Sequence, residues 1–98
     1  MNKSFESIKN HLLEQGFKYE GNSFVKTQQR QQLVVVNGQQ HQVVQEINIE
    51  FEYLGDGYIE GANGTQEETC GMSLVVNGQT LAEVWARDAQ EFQQLLSA

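Results

Sequence analysis

The stretch from Val43 to Tyr53 sorts its residues by face. Its odd positions are Val43, Gln45, Ile47, Ile49, Phe51 and Tyr53, and its even positions are Val44, Glu46, Asn48, Glu50 and Glu52. A β-strand turns successive side chains to opposite sides, so the apolar set predicts a buried face and Glu46, Glu50 and Glu52 line the other. Glu50 and Glu52 then stand about 7 Å apart. At that distance two unit charges in water repel by roughly 0.6 kcal/mol before salt screens them. Such a face tolerates solvent alone, and Lys18, Lys26 or Arg30 across the sheet could pair with it. That solvated reading comes first, a surface for a basic protein second, and a hard cation held by the carboxylates last. Tyr53 and Tyr58 flank Gly55-Asp56-Gly57 and, with Asp56 and Glu60, place aromatic contacts beside acids, a common interface composition. The candidate docking residues are therefore Glu46, Glu50, Glu52, Tyr53, Asp56, Tyr58 and Glu60.

Catalytic chemistry finds less support. General acid–base work needs a carboxylate with a shifted pKa in a pocket, and acids on an open sheet face sit in water. Cys70 could in principle pair with His41 or His11, yet Glu68-Thr69-Cys70-Gly71 carries no mark of a nucleophile. His11 falls beside the apolar stripe of a helix and His41 beside a turn, and both read as solvated. Asp56-Gly57 and the run Asn63 to Glu68 hold fragments of a calcium loop without its D-x-[DN]-x-[DN]-G spacing. One cysteine excludes an internal disulfide and any multi-cysteine metal site. Phosphate-loop, dinucleotide, zinc-protease and nucleophile-elbow strings are absent. No catalytic residue, no metal and no cofactor is expected.

The elements that must position these residues can be read in chain order. Ser4 precedes Phe5, Ile8 and Leu12 at helical spacing and Gly16 offers a left-handed stop, which predicts a helix over 4–15 capped by Ser4. Gly21-Asn22 and Asn37-Gly38 then predict two hairpins. Leu54-Gly55-Asp56-Gly57 predicts a third turn, residues 61–69 a polar loop, and Met72–Val76 a last strand. Thr80-Leu81-Ala82-Glu83 has the form of a capping box, followed by Val84, Trp85, Ala89, Phe92, Leu95 and Leu96, which predicts a helix over 81–97. On that helix Trp85 belongs to the core or, with Phe92 and Leu96, to a homodimer patch. Val35-Val36-Asn37-Gly38-Gln39 recurs as Val75-Val76-Asn77-Gly78-Gln79, the first copy entering a strand and the second a helix. The fold class is α+β: an N-terminal helix, an antiparallel sheet of five or six strands in a mostly meander order, and a C-terminal helix. Both helices are expected on one face of the sheet, leaving the other in water.

At 98 residues the chain is expected to form one domain, residues 1–98. The formal charge is -7, unevenly spread. Residues 1–30 hold Lys3, Lys9, Lys18, Lys26 and Arg30 against Glu6, Glu14 and Glu20, whereas the rest of the chain has Arg87 as its single base. A body this acidic repels nucleic-acid phosphates and anionic membranes, so neither is an expected partner. No leader or membrane-spanning run is evident, and a cytoplasmic location is expected. In size and charge the chain resembles bacterial immunity proteins and phage-encoded inhibitors of nucleic-acid enzymes. The first expectation is an interaction module whose acidic sheet face, with the loop 55–68, docks on a basic protein surface in competition with its nucleic acid. The alternative is a homo-oligomeric accessory subunit, and a small carboxylate enzyme comes third.

Overall fold

The computed structural model describes residues 1–97, in the order α1 (Lys3–Glu14), β1 (Lys18–Glu20), β2 (Ser23–Val36), β3 (Gln39–Glu60), a 3-10 turn (Ala62–Gly64), β4 (Gln66–Val76), β5 (Gln79–Ala86) and α2 (Ala89–Ser97). The five strands form one antiparallel sheet in the order β1-β2-β3-β4-β5, a plain meander flanked by two helices. The α+β class and the five-strand antiparallel count follow the expectation from sequence.

Local chemistry sets the element ends. The cap of α1 is Asn2 and not Ser4: its Oδ1 accepts the Phe5 N–H at 2.9 Å while its Nδ2 donates to the Thr69 carbonyl at 2.9 Å. Ser4 lies inside the helix, buried, and its hydroxyl donates to the Glu68 carbonyl at 2.8 Å. The first turn of α1 is thereby fastened to the start of β4. At the other end the Gly16 N–H reaches the Leu13 carbonyl and the Phe17 N–H the Leu12 carbonyl, with Gly16 at φ 91°. This is the left-handed helix stop that a side chain would disfavour. For α2 the cap is Asp88, whose carboxylate accepts the Glu91 N–H at 2.8 Å, while Glu91 reaches back to the Arg87 N–H at 3.0 Å. The side-chain cap thus sits at Asp88, with Glu91 reaching back one residue beyond it to Arg87.

That corrects the expectation of a helix over 81–97. Asn77-Gly78 turns the chain back on itself with positive φ at both positions (49° and 81°), as Asn37-Gly38 does (52° and 77°), so Gln79–Ala86 pairs with β4 as a strand. The two copies of the Val-Val-Asn-Gly-Gln string are therefore the same hairpin used twice. Two further expectations change. Leu54-Gly55-Asp56-Gly57 is no turn, because β3 runs through it with a bulge between Tyr53 and Gly55. The polar loop is short, since β4 already begins at Gln66.

One side of the sheet carries the core. A row of paired residues crosses all five strands there, Tyr19–Phe24–Phe51–Leu74–Ala82, beside a second row, Tyr53–Met72–Val84. Phe5, Ile8 and Leu12 of α1 and Phe92 of α2 enter the same cluster. Phe5 packs on Tyr53 (ring centroids 4.9 Å) and Phe24 (6.1 Å), and Phe92 meets Phe51 edge-on at 5.2 Å. Residues 27–36 and 39–48, by contrast, pair only with each other, and the molecule extends 65 × 27 × 21 Å. Among the described residues no helix is long and apolar enough to cross a membrane.

Candidate interaction surface: the uncovered sheet face

The side of the sheet opposite the core presents a row built from one residue of each strand: Glu20, Ser23, Glu52, Ser73 and Glu83, each the direct partner of the next. Alternate strands contribute the acids, so neighbouring carboxylates are about 10 Å apart with a serine between them. The adjoining row is Lys18–Val25–Glu50–Val75. Ser73 is buried at the middle of the face. Among the described residues the ion pairs are Arg87 with Glu67 (2.8 Å) and with Glu91 (2.6 Å), so Glu20, Glu50, Glu52 and Glu83 have no salt-bridge partner. Of the bases offered by the sequence, Lys18 shares this face without forming a salt bridge among the described residues, whereas Lys26 and Arg30 lie on the other side. Lys26 is paired with Ile49 on the core side, where its Nζ donates to the Gln15 carbonyl at 2.6 Å and lies 5.5 Å from the Phe17 ring centroid. Arg30 shares that side with Gln45, out along the hairpin.

Trp85 completes the face. It is on β5, not on a helix, opposite Gly71, and its ring lies flat over the sheet. A Cβ placed on Gly71 would come within 2.7 Å of the ring, and one on Gly57 within 3.1 Å. Two glycines on adjacent strands are thus the platform that lets an indole lie down. The indole Nε1–H donates to Glu83 Oε1 at 2.7 Å, which holds that carboxylate beside the ring. With 42% of its surface exposed, Trp85 presents an aromatic face next to Glu83.

The seven residues singled out from sequence divide between the two sides. Glu46, Glu50 and Glu52 lie on the uncovered side, Glu46 three rows out on the hairpin opposite Gln29. Tyr53 faces the core: it packs on Phe5, and its hydroxyl donates to Asp56 at 2.6 Å. That hydrogen bond, assisted by burial, pushes the phenol up to about 12. Asp56, Tyr58 and Glu60 pair with Cys70, Glu68 and Gln66 on the core side, because the extra residue Leu54 shifts the alternation by one. Glu20, Ser73, Glu83 and Trp85 are the members of the face that sequence reading missed. The Gly21-Asn22 hairpin would have placed Glu20 opposite Ser23, and the second Asn-Gly signal would have placed Glu83 and Trp85 on a strand.

No other cluster offers chemistry of comparable definition. Cys70 is fully buried, and its thiol is pushed up to about 12 by burial and by the charge of Asp56. It is inert as a nucleophile under those conditions. His11 lies against Gln93 (3.1 Å) and His41 is opposite Val34 on the hairpin, so neither approaches Cys70. Among the described residues no group of three or more His, Cys, Asp or Glu side chains could hold a metal ion. Comparison with family models, curated proteins and solved structures finds no match.

Proposed function

We propose that the chain is a protein-interaction module whose uncovered sheet face docks on a basic protein surface. The observation that carries this reading is the unpaired row Glu20–Glu52–Glu83 set beside the half-exposed Trp85 ring. An arginine or lysine arriving there meets an aromatic face and a carboxylate already oriented by the indole N–H. The indole supplies a rigid anchor, while the acids steer the encounter and weaken with salt. Competition with nucleic acid for the same basic partner is part of the proposal, and phosphate backbones themselves are repelled. A cytoplasmic setting, in which the lone thiol of Cys70 stays reduced, goes with it. The chain acts in this reading as a binding protein and not as an enzyme.

Trp85, the one tryptophan, is a built-in reporter for the test. A decalysine peptide titrated at about 20 mM salt is expected to change its emission, and about 0.5 M salt to abolish the change. The combined variant Glu50→Gln, Glu52→Gln, Glu83→Gln is expected to fold and to lose the response. An unaltered response in that variant would show that the cation binds elsewhere and overturn the assignment.

A further inference from the structure

Outside that face, a run of exposed apolar residues lies on the paired hairpin of β2 and β3. From Thr27↔Asn48 to Val36↔Gln39 it is a two-stranded ribbon, because β1 stops pairing at Val25 and β4 begins at Ile49. Ten residues of strand span about 33 Å. A two-stranded ribbon alone in water is marginal. Leu33 (66% exposed), Val35 (65%) and Val44 (56%) nevertheless stand in solvent here.

The turn fixes which backbone groups are free. In a two-residue hairpin the flanking pair, Val36 and Gln39, is hydrogen-bonded, and bonded and non-bonded pairs alternate from there. The even positions of β2 thus bond to β3, while Gln29, Gln31, Leu33 and Val35 turn N–H and C=O outward. On β3 the outward set is Gln40, Gln42, Val44, Glu46 and Asn48. Asn48 confirms the phase. Its outward N–H donates to Asn77 Oδ1 and its outward carbonyl accepts the Asn77 N–H, both at 2.9 Å. Beyond that point neither edge meets another strand.

Charge selects the occupant. No Asp, Glu, Lys or Arg occurs from Gln31 to Gln45 in a molecule of formal charge -7. β2 carries no acid at all, whereas β3 carries Glu46, Glu50 and Glu52. We infer that the ribbon pairs edge to edge with that of a second copy. The pairing is through β2, antiparallel about a two-fold axis near Gln32 and Leu33, and makes a four-stranded sheet β3-β2-β2-β3. The symmetry sends the two acidic bodies to opposite ends. It keeps Glu46 of one copy about 25 Å or more from Glu46 of the other, well beyond the Debye length of roughly 8–10 Å. Pairing of β2 with β3 of the next copy would leave a free edge at each end and grow without closing. This inference is independent of the acidic face.

Proline separates the two edges. At an outward position it removes an edge donor and leaves the internal ladder intact. Sedimentation of the wild type from about 1 to 500 μM is expected to show monomer giving way to dimer, with salt leaving the midpoint unchanged or lowering it. Gln31→Pro is expected to remain monomeric throughout and Gln42→Pro to dimerise as wild type does, both with the wild-type Trp85 emission of an intact body. Amide exchange at Gln29, Gln31, Leu33 and Val35 is expected to slow at least about tenfold at the dimeric end. A wild type that stays monomeric to the highest concentration, a dimer lost through Gln42→Pro alone, or fibres in place of a closed dimer would each overturn the inference.

Discussion

Strands β2 and β3 run unbroken from the body into the ribbon, and along that single ladder the surroundings of the side chains change completely. At Phe24↔Phe51 the pair is buried, flanked by β1 and β4 and covered from one side by Phe5 and Phe92. Nine and ten residues further on, Leu33 and Val34 sit opposite Gln42 and His41 with neither a third strand nor a helix beside them. The hydrogen-bond ladder is common to both regions, so it cannot be what makes one of them a core. What differs is the apolar area withdrawn from water on the covered side. The ribbon keeps strand geometry without that contribution, and its unspent edge is the basis for pairing with a second copy.

Substitution along the ladder breaks the comparison at its strong end first. Phe51→Ala empties a site shared by Phe17 and Phe92 and is expected to cost about 3–5 kcal/mol in denaturant unfolding. A smaller effect is expected on the opposite side of the sheet. Gly71→Ala drives a methyl to within 2.7 Å of the Trp85 ring, and overpacking of this kind costs about 1–3 kcal/mol. Its signature is an altered Trp85 emission together with weakened docking, since the indole must lift from its platform.

Alkaline pH acts through two groups of the covered side. Folding raises Tyr53 and Cys70 to about 12, so between about 9 and 12 the unfolded chain releases protons that the folded chain retains. Their stabilising contribution is whole below the unfolded pKa values and is lost as pH rises through the folded ones. Stability is therefore expected to fall across this window, by at most about 1.4 kcal/mol per pH unit for each group. Tyr53→Phe should shallow the slope in pH-resolved melts. The smallest effect belongs to the ribbon. Leu33→Ala in the monomer is expected to change unfolding by no more than about 0.5 kcal/mol, and a loss comparable to that of Phe51→Ala would erase the distinction between the regions.

How legible each region was depended on whether one residue could undo the pattern. The Phe5, Ile8 and Leu12 stripe and the Asn37-Gly38 hairpin are local signals, and both became the elements expected of them. Thr80–Glu83 fits a capping box, but Ala82, Val84 and Ala86 alternate equally well against β4, and the Asn77-Gly78 turn decides for the strand. Bulges were invisible. Leu54 leaves Asp56, Tyr58 and Glu60 with the same even parity as Glu50 and Glu52 yet on the opposite side of the sheet. Leu81 adds a second irregularity on β5 between Thr80 and Ala82. The candidate site was therefore half readable: the β3 acids declared themselves, whereas Glu20, Glu83 and Trp85 joined them only through the register of other strands.

Because the two regions have been given separate tasks, retention of a basic protein from an extract of the cells that make this chain tests the assignment most directly. Three baits are compared at low and high salt: wild type, the Glu50, Glu52 and Glu83 to Gln variant, and the ribbon variant Gln31→Pro. The account predicts a basic protein held at low salt by wild type and by Gln31→Pro, released at high salt, and not held by the glutamine variant. Retention that survives the loss of the three carboxylates, or that fails with Gln31→Pro, would contradict it and move the docking surface from the sheet face to the ribbon.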